Sequence, residues 1–157
     1  MDWLGPLAHN ALIAFVQQVF GLAKKSTNLR IRCNPTSATS IEGKVKELHA
    51  IRDTLEEIAQ RKRGHARFFS VMQGSPAPYK EFLNGIRIEF RTGLFRASMT
   101  PNRWLLLSGD ERSLHCAASY FRFPIPSTPG EHHHLERYEG MDWIEPDTEP
   151  LVITVSA

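Results

Sequence analysis

The chain has little cysteine: two residues in 157, Cys33 and Cys116, with no Cys-x-x-Cys spacing. That excludes a disulfide-stapled scaffold and a cysteine-based zinc or redox motif, and both thiols, set in apolar strand-like stretches, are expected to be buried. Signatures of catalysis are also missing. There is no glycine-rich phosphate loop, no Gly-x-Ser-x-Gly elbow and no His-Glu-x-x-His pair, so no catalytic residue and no cofactor is assigned. The opening Met1-Asp2-Trp3 lacks the basic start of an export signal. The apolar run from Leu7 to Ala23 is interrupted by His9, Asn10, Gln17 and Gln18, whereas a membrane span needs ~20 nearly uninterrupted apolar residues. The expected compartment is the cytoplasm, with no transmembrane segment.

What is present suits one globular core. The hydrophobic and charged fractions, 41% and 23%, are ordinary for a folded chain, and 157 residues make a single domain, 1–157. Charge is unevenly spread within it. Residues 1–123 hold 18 Lys/Arg against 10 Asp/Glu, a basic body, while residues 124–157 hold one Arg against seven acids. The acidic extension contains Tyr138 and Trp143 and ends in Leu151, Ile153 and Val155 at strand spacing, so it is expected to pack back on the body as a cover or as a lid.

The fold class expected is α+β, with two helices packed on one face of a curved, mainly antiparallel meander sheet. The first helix is read from Leu12, Phe15, Val16, Val19 and Ala23. An extended run over 28–33 leads to the second helix, about 41–63, with Thr39 and Glu42 at capping-box spacing and Arg61, Lys62, Arg63 and Gly64 closing it. Its stripe is Ile41, Val45, Leu48, Ile51, Leu55 and Ile58, and Glu42–Lys46 and Glu57–Arg61 are spaced to pair. A strand at about 66–72 precedes a meander of 85–91, 94–99, 103–108 and 112–123. Thr92-Gly93, as a hairpin turn, sets Phe90 against Phe95, Ile88 against Ala97 and Glu89 against Arg96.

This register gives the sheet one apolar face for the helices. The other face carries Arg87, Arg91 and Arg96, with Arg103 nearby, as an anion- or partner-binding set. Continuing through Pro101-Asn102 places Leu105, Leu107 and Leu114 there too, an apolar contact patch that needs a cover. Arginine outnumbers lysine 13 to 6, which favours bidentate contacts to carboxylate or phosphate and stacking on rings.

Three functional classes follow. The first is a non-enzymatic interaction or regulatory module that binds an acidic protein surface or nucleic acid through the basic sheet face, with a protein partner or a second copy ahead of nucleic acid. The second, by analogy with cone-shaped α+β folds, is a pocket protein, lyase- or isomerase-like, lined by Phe15, Phe68, Phe90, Phe95 and Trp104. The third is a metal protein using His132, His133 and His134, although three adjacent histidines without helical spacing or cysteine partners do not by themselves converge on an ion. His115, opposite Trp104 in this register, is expected to be an interior or edge histidine.

Overall fold

The computed structural model describes residues 22–24, 28–35 and 37–157. In chain order the strands are β1 (Leu22–Lys24), β2 (Arg30–Asn34), β3 (Ala38–Gly43), β4 (His65–Phe69), β5 (Glu81–Phe82), β6 (Gly85–Phe90), β7 (Arg96–Met99), β8 (Trp104–Gly109), β9 (His132–Leu135) and β10 (Leu151–Val155). The helices are α1 (Val45–Arg61) and α2 (Glu111–Ala118), the latter followed by a 3-10 turn at Ser119–Phe121. The α+β class holds, with helices against mostly antiparallel strands, but the strands form two mixed sheets instead of one meander: β1-β4-β6-β8-β7 and β5-β2-β3-β10-β9. Helix α1 touches β4 and β6 of the first sheet and β3 of the second, and α2 lies against α1 and β8. Among the described residues no helix is long and apolar enough to cross a membrane.

Helix α1 forms where the apolar spacing is most regular. Leu48, Ile51, Leu55, Ile58 and Ala59 are all buried on one side. The helix begins later than expected. Ala38–Gly43 is β3, paired antiparallel with β2 and parallel with β10, so Thr39 and Glu42 are strand residues and do not cap. The first turn is closed by Glu47, whose Oε2 accepts the Lys44 N–H at 2.8 Å. At the other end Lys62 adopts the left-handed conformation, φ 53°, two residues before Gly64. The first helix, read from Leu12 to Ala23, lies outside the described residues except at its end, where Leu22–Lys24 is β1, parallel to β4.

The hairpin through Thr92-Gly93 does not form. Strand β6 pairs with β4 on one side and, in parallel, with β8 on the other, while β7 pairs only with β8 within its sheet. Strand β8 therefore sits between the two strands that the turn was to join, and Phe90 and Phe95 are not a cross-strand pair. Four residues, Thr100–Arg103, separate β7 from β8, with Arg103 at φ 66°, and the pairing lies one residue from that of a two-residue Pro101-Asn102 turn. Met99 faces Leu105 and Ala97 faces Leu107. A one-residue shift exchanges the faces, and Leu105 and Leu107 are accordingly fully buried.

The predicted strand 112–123 is helix α2. Asp110 accepts the Ser113 N–H at 2.9 Å as its N-cap, and Leu114, Ala117 and Ala118 are buried. The two sheets are stitched at Gly85, where the chain leaves β5 for β6. A Cβ there would lie 2.0 Å from the Phe68 carbonyl oxygen and 2.8 Å from the Trp104 ring, so only glycine fits.

Candidate anion-binding face

The four arginines singled out from the sequence each meet a carboxylate. Arg87 is bonded to Glu89, two residues on in the same strand. Arg103 reaches Glu81 at 2.9 Å and the Phe82 carbonyl at 2.8 Å. Arg91 and Arg96 are met by the acidic extension: Arg91 Nη2 lies 2.9 Å from Glu145, and Arg96 Nη2 lies 2.9 Å from Asp147, with its Nε 3.8 Å from Glu145. Sequence reasoning brought Arg87, Arg91 and Arg96 together on a hairpin. The fold instead separates β6 from β7 by β8 and gives Arg91 and Arg96 a shared acidic counterpart about fifty residues away.

Backbone bonds set that counterpart in place. The Phe95 N–H donates to the Trp143 carbonyl and the Glu145 N–H to the Phe95 carbonyl, both at 2.8 Å, and the Glu149 N–H donates to the Ala97 carbonyl at 2.8 Å. The segment thus lies along β7 before the chain enters the second sheet as β10. Burial pushes the Glu149 carboxyl above the usual range, against the Thr39 hydroxyl bond at 3.5 Å.

The apolar patch expected on the same face is not on the surface. Leu105, Leu107 and Leu114 are 0% exposed within the single chain, two through the register of β8 and one through its place on α2, so they neither need nor offer a partner contact. The aromatics expected to line a pocket fall in different places. Phe68 and Phe95 belong to the core, Phe90 and Trp104 are half-buried, and Phe15 lies outside the described residues. A cleft of about 590 Å³ does lie between α1 and α2, lined by Glu56, Ala59, Gln60, Glu111, Arg112 and His115. Its charged groups are already partnered: Glu56 with Arg122, Glu111 with Lys62, Arg112 with Asp142. His115 is exposed on α2, and Cys116 is half-buried instead of buried.

The histidines divide by strand alternation. His132 and His134 project to one side of β9 and His133 to the other, where it stacks on Phe123 at 4.2 Å and its Nδ1 donates to the Tyr120 carbonyl at 2.7 Å. Among the described residues no group of three or more His, Cys, Asp or Glu is disposed to hold a metal ion.

Another arginine, which the sequence reading did not single out, stands on the first sheet. Arg67 on β4 stands directly opposite Arg87 on β6. Directly opposed like charges on a sheet are destabilising. Arg87 is relieved by Glu89, while Arg67 has no carboxylate in reach among the described residues and lies over the Trp104 ring at 5.6 Å. Phe69 packs edge-on against the same ring at 5.4 Å and is itself 42% exposed. Two more arginine–aromatic contacts are made from β2 of the second sheet, Arg30 over Phe82 and the buried Arg32 over Tyr79. Alternation along β4 was readable, since Arg67 and Phe69 flank the buried Phe68. The partner ring was not, because Trp104 reaches Phe69 and Arg67 only through the order of the strands. Comparison with protein-family models, curated proteins and solved structures finds no match to this chain.

Proposed function

We propose that the domain is a non-enzymatic interaction module that takes an extended anionic partner, an acidic protein segment or a nucleic-acid strand, on the outer face of its first sheet. The observation that carries this reading is the pairing of Arg67 with Arg87 beside the partly exposed Trp104 and Phe69. A guanidinium laid on an indole keeps its donors free for carboxylate or phosphate, and the neighbouring rings offer contact area to whatever carries the anion. The relief of repulsion on binding favours the same ligand. Arg91 and Arg96, already neutralised by Glu145 and Asp147, are not the primary contact in this reading.

The test titrates labelled single-stranded RNA, single-stranded DNA and polyglutamate into the intact chain and into Arg67→Ala and Trp104→Leu variants. Binding is expected to weaken with salt and to fall about tenfold in Arg67→Ala, the scale of one charge-assisted contact. A preference for the nucleic acids that is lost in Trp104→Leu assigns the partner to a strand with stacking bases. A preference for polyglutamate assigns it to an acidic polypeptide. Equal affinity of the intact chain and Arg67→Ala for every probe, or no binding at about 50 mM salt, where screening is weak, would overturn the reading.

A further inference from the structure

The geometry of β9 points to a two-imidazole site for a divalent first-row transition ion, copper foremost and zinc after it, formed by His132 and His134. The two residues are one apart in a strand, so their side chains leave the same face. Their rings have closed up, with centroids 5.1 Å apart and planes at 74°. Two imidazoles bound to one ion through nitrogen at ~2.0–2.1 Å, with an angle at the metal between square and tetrahedral, hold their centroids roughly 4.5–5.3 Å apart. The observed separation lies inside that range.

The hydrogen bonding of His132 supports the same site. Its Nδ1 lies 3.0 Å from the Gly130 carbonyl oxygen. A carbonyl only accepts, so Nδ1 carries the proton and the neutral ring keeps its lone pair on Nε2. A backbone carbonyl on the far nitrogen is the usual way a ligating imidazole is oriented and made more basic. Both histidines are exposed, and across β10 their register partners are Thr154 and Val152, which bring no competing charge. Strand β9 is the last of its sheet, leaving room for water to fill the remaining coordination positions. Imidazole donors with open positions bind divalent ions in the order that peaks at copper. His133 is not a ligand, being held on the other face by Phe123 and Tyr120.

The experiment uses the full chain without an affinity tag. Cu²⁺ and, separately, Zn²⁺ are titrated by calorimetry into the wild type, His132→Asn, His134→Asn and, as a control on an exposed histidine elsewhere, His115→Asn. One ion per chain is expected in the wild type and in H115N, with affinity about tenfold or more lower in H132N and H134N, because each loses the chelate. Electron paramagnetic resonance of the Cu²⁺ form should show two coordinated imidazole nitrogens in the wild type and one in each β9 variant. Zn²⁺ should raise the melting temperature of the wild type and of neither β9 variant. Unchanged affinity in H132N or H134N, a spectrum that keeps two imidazoles in either, or no saturable one-to-one binding by the wild type would overturn the site.

Discussion

Cys33 shows how one buried side chain ties pH to stability. Its thiol is completely buried, lies 3.6 Å from Glu81 Oε1, and is pushed up to about 11 from 9.0, first by burial and then by Glu81, with Arg103 acting the other way. The folded state therefore favours the protonated thiol. The stabilisation is complete below pH 9 and is lost as pH rises through about 11. Urea midpoints of the wild type should fall across that window, and those of Cys33→Ala should fall less. At pH 8 iodoacetamide should label Cys116 while Cys33 stays unmodified, as peptide mass spectrometry would show; equal labelling would contradict the burial. At this scale Cys33 was legible, since it sits in an apolar stretch whose alternation is visible. The partners of Arg91 and Arg96 were not. A sequence shows that the extension is acidic, and only the bonds of Phe95 to residues 143 and 145 decide which acid meets which arginine.

Among the elements, α2 is the clearest lesson in competing periods. Asp110 followed by Leu114, Ala117, Ala118 and Phe121 is a capped helical stripe, yet the same residues also continue a run of short apolar segments and read as a last meander strand. The cap decides it. Asp110 Oδ1 accepts both the Ser113 N–H and the Ser113 hydroxyl, so Asp110→Ala should cost about 1 kcal/mol in a urea melt and Asp110→Asn much less. A loss below about 0.3 kcal/mol in the alanine variant would mean the cap is not what starts the helix. Helix α1 was legible because its stripe runs four turns without an alternative. Strand β3 was not, because Thr39 and Glu42 suit a cap as well as a strand, and the strand wins only when β2 and β10 are there to pair with it. The Thr92-Gly93 hairpin failed for the same reason in reverse. Its local pairs were chemically sound, but β8 offers β6 a parallel partner along its whole length.

For the whole molecule, the opposite charges of body and extension meet twice, at Asp142 with Arg112 on α2 and, along β7, at Glu145 and Asp147 with Arg91 and Arg96. These groups are half-exposed, so each pair contributes at most about 1 kcal/mol. Glu145→Gln with Asp147→Asn should therefore leave the melting temperature within a few degrees of wild type while freeing two cations beside the proposed binding face. Polyglutamate should bind the double variant more tightly and with a steeper salt dependence. Unchanged affinity would show that Arg91 and Arg96 lie outside the reach of the partner. The two-sheet architecture itself was the least legible level. Strand order depends on pairings between segments far apart in the chain, and the second sheet places β10 in its interior, between β3 and β9.

That placement has a kinetic consequence. Thr39 pairs with Leu151 and Gly43 with Val155, so β3 waits for a partner from the far end of the described chain. During synthesis the first sheet has all its strands well before the second does. Until residues 151–155 arrive, β3 presents an open edge to the cell, and the β2–β3 hairpin in that interval is the part of the nascent chain that a chaperone has most reason to hold.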